Sequence, residues 1–361
     1  MSIEALARPD VVAMKAYSSA RKEAPGEGVL LNANEAPWSL LRGSDWEARL
    51  NRYPDPQPQK LVDRLAGLYG VPAEQVLVTR GSDEGIDLLT RVFCRAGQDA
   101  VLHCPPTFGM YRIAAQTQGA ELVAVPRKAE DGFRLDGQAL LDTLWANRRV
   151  RLVFLTSPNN PTGDVIEPAY LEELLEQTRD RAVVVVDEAY AEFCGHPSAS
   201  VLLPRFENLV VLRTLSKAWA AAGLRCGVVL ARPALIGLLQ RVIAPYPLAS
   251  PVIALALRML EDDVLERQQE LLRQVAVNKL ALLRVLEGRR GLVSIIPGEA
   301  NFVLVRTDLA DALLAFCASR GVILRGFPSD PLLRGHIRIT VGSADDIDSL
   351  ARVLDEWEKL A

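Results

Sequence analysis

The chain has 361 residues, 49% of them hydrophobic and 24% charged, with a formal net charge of −4. That length supports one large or two separate cores, and the near balance of acid and base excludes a nucleic-acid surface built on basic excess. The longest charge-free apolar run, Val242 to Leu257, contains Pro245, Pro247 and Pro251, so we read it as a packed linker into a helix and not as a membrane span. The first nineteen residues carry no apolar stretch of the signal-peptide kind. The five cysteines, Cys94, Cys104, Cys194, Cys226 and Cys317, show no C-x-x-C spacing, and the three histidines are far apart. Free thiols in a cytoplasmic protein without a metal site are expected.

In chain order, short β-branched runs alternate with helical stretches. "QVLVTRG" (75–81) precedes "SDEGIDLLTRVFCR", and "DAVLHCPP" (99–106) precedes "TFGMYRIAAQTQG". "VRLVFLTSP" (150–158), "RAVVVVDEA" (181–189), "ENLVVLRT" (207–214) and "RCGVVLAR" (225–232) continue the alternation. These runs are apolar throughout, as strands are when helices cover both faces of a sheet. An α/β architecture with a mostly parallel sheet follows. After about residue 245 the pattern changes to a helical run over 250–289, then "LVSIIPGEANFVLVR", a helix at 309–320, "GVILRGF", "HIRITVG" and a last helix. The expected organisation is an N-terminal arm (1–30) packed with the small domain, a large α/β domain (31–245), and a small α+β domain (246–361).

Ligands of open α/β sheets sit beyond the carboxyl ends of the strands. Those ends carry "RGSDEG", "CPPTFGMY", "SPNNPTG", Asp187 with Tyr190, and "TLSK". Gly81 and Ser82 open a helix whose free N–H groups suit a phosphate, with Asp83 offering backbone. Thr214, Ser216 and Arg225 add hydroxyls and a permanent cation for the same phosphate. Lys217, an amine screened by apolar neighbours, has the makings of a Schiff-base lysine; the alternative is a surface lysine in a loop. Asp187 follows four valines, where a carboxylate needs a partner such as a pyridinium N–H; the alternative is a helix N-cap. Asn160 precedes a proline, and its amide suits a phenolic oxygen, although Asn-Pro is also a common turn. Tyr111 either stacks on a ring or belongs to the core. The set fits a planar, phosphorylated pyridine aldehyde.

"SPNNPTG", "VVDEAY" and "TLSKAWAAAGLRCG", in this order, resemble the fold-type I pyridoxal-phosphate aminotransferases. "LLNANEAPW" (30–38), "NRYPDPQP" (51–58), "VTRGSDEGIDLL" (78–89), "CPPTFGMY" (104–111), "VIAPYPL" (242–248) and "HIRITVG" (336–342) resemble the histidinol-phosphate aminotransferase family, over nearly the whole chain. The resemblance implies fold type I of the pyridoxal 5′-phosphate (PLP)-dependent transferases. It implies Lys217 as the lysine that holds PLP and shuttles protons, Asp187 on the pyridine nitrogen, and Asn160 with Tyr190 on the ring hydroxyl. Tyr111 is implied to stack on the ring, with Ser82, Asp83, Thr214, Ser216 and Arg225 on the phosphate. Tyr53 is implied to reach the phosphate of a neighbouring subunit in a homodimer with shared sites. Arg338 is the implied carboxylate binder, and Arg325, Tyr17, Asn34 and Glu35 the implied pocket lining. Phe108 stands where the family often has tyrosine.

The expected activity is ping-pong transamination between L-histidinol phosphate and 2-oxoglutarate in histidine biosynthesis. Nucleic acid and membrane are not expected as partners. An aromatic amino-acid aminotransferase, or a PLP decarboxylase of a phosphorylated amino acid, is the nearest alternative. A PLP-binding regulatory domain and a dinucleotide-binding protein are further ones; no G-x-G-x-x-G follows a strand.

Overall fold

The computed structural model describes residues 2–17, 31–41, 43 and 50–360. One sheet is formed by β1 (Val76–Thr79), β2 (Ala100–His103), β3 (Glu121–Ala124), β4 (Val150–Thr156), β5 (Val183–Asp187), β6 (Leu209–Thr214) and β7 (Gly227–Ala231). Their order is β1-β7-β6-β5-β4-β2-β3. From β6 to β3 every neighbour is parallel, whereas β7 runs antiparallel to both β6 and β1. The two reversals cancel, so β1 points the same way as β6, and the carboxyl ends of six strands share one edge.

Among the described residues the α-helices are α1 (Pro9–Ala13), α2 (Gln59–Tyr69), α3 (Ser82–Phe93), α4 (Met110–Gln118), α5 (Gly137–Ala146), α6 (Pro168–Thr178), α7 (Pro233–Gln240), α8 (Ser250–Met259), α9 (Asp262–Leu286), α10 (Ala310–Ser319) and α11 (Ala344–Leu360). The apolar strands are apolar because the sheet is covered twice. Val183, Val185, Val210 and Leu212 enter one core, and Val184, Val186, Leu209 and Val211 the other. Each such side chain contributes roughly 1.5–3 kcal/mol when fully removed from water.

The structure differs from the sequence reading at four places. β3, an edge strand of half-buried and exposed residues, does not appear among the apolar runs; with only one neighbour it needs no continuous apolar stretch. The 250–289 run is two helices, broken at Leu260 and Glu261. Ala256 of α8 and Leu260 lie in the core of the first sheet, so the chain beyond 246 does not leave that unit at once.

The fourth difference concerns the N-terminal arm. Ile3, Leu6, Ala7 and Val11 bury against Leu77, Val92, Leu235 and Leu239 of the large unit, not against the small one. Arg8 N donates to Val92 O at 2.9 Å, and Arg241 donates to Val11 O at 3.2 Å. The spaced apolar side chains of 3–11 find a ready hydrophobic shelf between α3 and α7. Residues 18–30 of the expected arm lie outside the described residues.

A second, antiparallel sheet has β8 (Leu292–Ile296), β9 (Phe302–Thr307), β10 (Arg325–Gly326) and β11 (His336–Thr340) in the order β10-β11-β9-β8. Leu282 and Leu286 of α9 and Leu350 and Leu354 of α11 pack on Val303, Val305, Ile337 and Ile339 to form its core. Among the described residues, no helix is long and apolar enough to cross a membrane.

Candidate active site

The edge shared by the strand ends gathers the side chains that the sequence singled out. Thr156 and Asp187 are paired residues at the ends of β4 and β5. Thr214 ends β6 and pairs with Gly227, which also pairs with Thr79 at the end of β1. Lys217 stands three residues past β6.

A cradle forms where α3 begins. Gly81 is its N-cap with φ +76°, and no side chain caps the first turn. The first N–H groups of a helix bind anions, helped by the helix dipole. Arg225 closes the cradle: Nη1 donates to Ser216 Oγ at 3.1 Å, and Nη2 to Asp83 Oδ2 at 3.1 Å. Thr214 Oγ1 lies 3.0 Å from Ser216 Oγ and accepts from Ser216 N at 3.1 Å. Two glycines keep the space open. A Cβ on Gly81 would lie 2.7 Å from Arg225 Nη2, and one on Gly227 would lie 2.4 Å from the Gly81 carbonyl carbon. A phosphate group fits the donors of this cradle.

Asp187 is 2% exposed. Its Oδ2 accepts from Tyr111 Oη at 2.8 Å and its Oδ1 from Ala189 N at 3.1 Å. Burial pushes its carboxyl up to about 6, against the lowering effect of both hydrogen bonds. No cationic side chain pairs with it among the described hydrogen bonds and ion pairs.

Lys217 opens onto the cleft, with its Nζ 5.5 Å from the centre of the Tyr190 ring. Desolvation first, then the positive charge of Arg338, lowers its ammonium below the ordinary lysine range. Tyr190 is buried, edge-on to Phe302 at 5.3 Å, and accepts from Asn160 Nδ2 at 3.4 Å. Desolvation raises its phenol to about 12. Asn160 Oδ1 in turn accepts from Arg338 Nη1 at 2.5 Å, which ties the second sheet to the strand-end loop of the first.

Arg338 on β11 and Arg325 on β10 are directly opposite in register. Desolvation, with Arg325 nearby, lowers the pKa of Arg338 from the ordinary arginine value. Its buried Nε meets no hydrogen-bond acceptor among the described residues.

Several expected roles are redistributed. Tyr111 has no exposed surface, and its ring lies flat on Phe154 at 4.8 Å and 7°. A ligand has no face of Tyr111 to stack on; the tyrosine serves Asp187 from beneath. The half-buried Phe108, edge-on to Tyr111 at 5.8 Å, is the aromatic ring left at the mouth. Glu35 was expected to line the pocket, but its side chain is 3% exposed. It accepts from Tyr53 N at 2.7 Å and Arg52 Nη1 at 2.8 Å. It braces the segment that carries Tyr53.

Tyr53 is half exposed and stacks on Tyr246 at 4.5 Å, beside a groove of about 370 Å³ between residues 52–58 and α8. Tyr17 and Asn34 are exposed, and no described contact joins either to the Lys217 cluster. Thr107, Thr156 and Asn159 are polar groups under the site that the sequence reading passed over. A threonine closing the apolar run of β4 was the available signal for one of them.

The family described as Aminotransferase class I and II matches residues 42–354, which include every strand of both sheets. The chain belongs to the class I and II aminotransferases, and its cofactor is PLP. Within that class it is similar to the histidinol-phosphate aminotransferase of Aeromonas hydrophila, 46% identical over 357 residues and 98% of each chain. The same enzyme from Cronobacter sakazakii is 44% identical over 361 residues, 100% of this chain and 99% of that one. The protein is therefore a transaminase of the histidinol-phosphate aminotransferase family. A solved histidinol-phosphate aminotransferase from Sinorhizobium meliloti, in complex with pyridoxal-5'-phosphate, superposes with a TM-score of 0.77 at 25% identity, covering 86% of this chain and 84% of that one. A putative one from Erwinia carotovora atroseptica gives 0.76 at 29% identity, covering 86% and 89%.

Proposed function

We propose that the chain moves an amino group between L-histidinol phosphate and 2-oxoglutarate, giving imidazole-acetol phosphate and L-glutamate. One observation carries this reading: Arg325 and Arg338 are opposed as like charges across two strands, and Arg338 is tied to Asn160. Like charges directly opposite are unfavourable, so such a pair is best explained by an anion that it serves. Guanidinium forks accept a carboxylate or a phosphate ester alike. Glutamate brings the first and histidinol phosphate the second.

Bound PLP supplies an aldehyde that condenses with amines and a protonated ring that draws electrons from the substrate's α-carbon. Ser82 and Asp83 N–H groups, Thr214, Ser216 and Arg225 hold its phosphate. Asp187 keeps the ring nitrogen protonated, Asn160 and Tyr190 hold the ring oxygen, and Phe108 covers one face. Lys217 Nζ is the amine that would hold the aldehyde carbon and would carry the proton of the substrate's α-carbon. Desolvation and the charge of Arg338 lower its pKa, which favours the neutral form that a base needs. The two substrates take turns in one pocket, so steady-state kinetics are ping-pong.

The working unit in this reading is a two-fold homodimer. Tyr53, braced by Glu35 and Tyr246, is presented outward beside the groove of α8 and reaches the phosphate of the second subunit.

The test is a half-reaction. The holoenzyme is mixed with L-glutamate or L-histidinol phosphate without an acceptor, and the cofactor absorbance is followed. Both donors should bleach the aldehyde band, and phenylalanine and O-phosphothreonine should do so far more slowly. An unchanged band with histidinol phosphate sinks the reading.

A further inference from the structure

Beneath the strand ends runs a chain of hydroxyls that the activity alone does not explain. It starts at Asn159, which is fully buried. Its Nδ2 donates to Pro106 O at 3.0 Å and to Thr162 Oγ1 at 2.7 Å. A proline carbonyl only accepts, which fixes the facing atom as nitrogen. Both amide protons are thus committed, and Asn159 Oδ1 can only accept. Thr107 Oγ1 donates to it at 2.8 Å. That uses the single proton of Thr107, so across the 3.1 Å contact to Thr156 Oγ1, Thr107 is the acceptor if a proton lies there at all. Thr156 Oγ1 lies closer to Tyr111 Oη, at 2.7 Å, and Tyr111 Oη is 2.8 Å from Asp187 Oδ2. An ionised carboxylate only accepts, so the phenolic proton points at Asp187. A phenol that receives a hydrogen bond donates a stronger one.

We infer that Tyr111 is a positioning residue for Asp187, its proton held by the carboxylate and its oxygen within reach of the Thr156 hydroxyl, so that the aspartate stays ionised and correctly turned toward the cofactor's ring nitrogen. The inference rests on the reading that Asp187 pairs with that nitrogen. Tyr111 has no exposed surface, and Thr156 and Asp187 are each 2% exposed, so water does not substitute for the Thr156–Tyr111 or Tyr111–Asp187 contact. The other groups facing Asp187 do not replace the phenol. Asp83 from α3 and the adjacent Glu188 oppose its ionisation, Ala189 offers a single N–H, and Lys217 and Tyr190 lie on the cleft side. Tyr111 is the one side-chain donor to the carboxylate among the described residues.

The experiment uses Tyr111→Phe, Thr156→Val and the double variant as full-length proteins. It reads the Kd of the apo-proteins for PLP, the pH titration of the cofactor band in the loaded proteins, and kcat with KM. Losing a hydrogen bond to a charged group predicts a PLP Kd raised about tenfold in Tyr111→Phe and a smaller rise, about threefold, in Thr156→Val. The band should titrate at a displaced pH, and kcat should fall while KM for glutamate stays within about twofold. Because Thr156 acts through Tyr111, the double variant should be no worse than Tyr111→Phe.

Wild-type affinity and an unchanged band titration in Tyr111→Phe, even with a lower Tm, overturn the inference. So do effects that multiply in the double variant. Should Tyr111→Phe not fold, Thr156→Val decides by the same two readouts. A wild-type protein whose PLP affinity and band are indifferent to Asp187→Asn would instead defeat the ring-nitrogen reading itself.

Discussion

Arg338 on β11 donates to Asn160 Oδ1 at 2.5 Å while standing directly opposite Arg325 on β10. One guanidinium therefore joins the two sheets and holds one half of a cationic pair over the cleft. Arg338→Lys keeps the charge and loses the fork. KM for glutamate and for histidinol phosphate should each rise by about tenfold or more, with a smaller loss in kcat. Equal kinetics for the Arg338→Lys variant and the wild-type enzyme would remove Arg338 from substrate binding.

Lys217→Ala tests the amine. PLP should remain bound through the phosphate cradle, but borohydride should no longer fix it to the chain. Loss of the proton carrier and of the covalent anchor should lower kcat by about three orders of magnitude or more. Mass spectrometry of the reduced protein and single-turnover kinetics check both halves.

Asp187 gives a pH-dependent prediction. Burial raises its folded-state carboxyl to about 6 from the ordinary 3.8. The folded apo-protein thus binds this proton more tightly than the unfolded chain does. The contribution of Asp187 to stability is full below about pH 4 and is lost as pH rises through about 6. Asp187→Asn removes that loss. The apo-variant should be more stable than the wild-type apo-protein at pH 7, by up to about 3 kcal/mol from a shift of roughly two units, and the gap should close near pH 4. Chemical denaturation at the two pH values measures it, and a gap that widens on acidification contradicts it.

Gly227→Ala should damage the cradle mechanically. The added Cβ would fall 2.4 Å from the Gly81 carbonyl carbon and 2.5 Å from Ser82 N, both backbone atoms that cannot swing aside. A cost of about 1–3 kcal/mol in stability is expected for such overpacking. The PLP Kd should rise more than stability alone requires, because the first turn of α3 moves with Gly81. Thermal melts with and without PLP separate the two effects.

Behind the site, Arg213 pairs with Glu188 Oε2 and Glu192 Oε1 at 2.7 Å each, all three side chains nearly enclosed. Arg213→Met leaves two buried carboxylates without their cation. A destabilisation of about 3–5 kcal/mol follows, measurable by urea denaturation, and Glu192→Gln in the same background should recover part of it.

The sequence by itself determined which strands are central and which residues end them. A strand buried on both faces must be apolar throughout, so a lone Asp187, Lys217 or Asn160 at its end stands out in a single chain. Local composition determined the glycine-opened start of α3 for the same reason. What tertiary structure alone decided is whatever depends on two distant segments meeting. The short 215–226 connection between β6 and β7 holds no full crossover helix and turns the chain back, which reverses β7. Tyr111 is a partner of Asp187 only because the start of α4 lays its ring on Phe154 of β4 and brings its hydroxyl to the end of β5, and its 76-residue separation from the aspartate leaves no local signal. Glu35 becomes a brace and residues 3–11 a covering for the large sheet through contacts that no periodicity encodes. Strand patterns report the burial of each residue. They carry no record of which buried groups will touch, because that is fixed by how the layers pack.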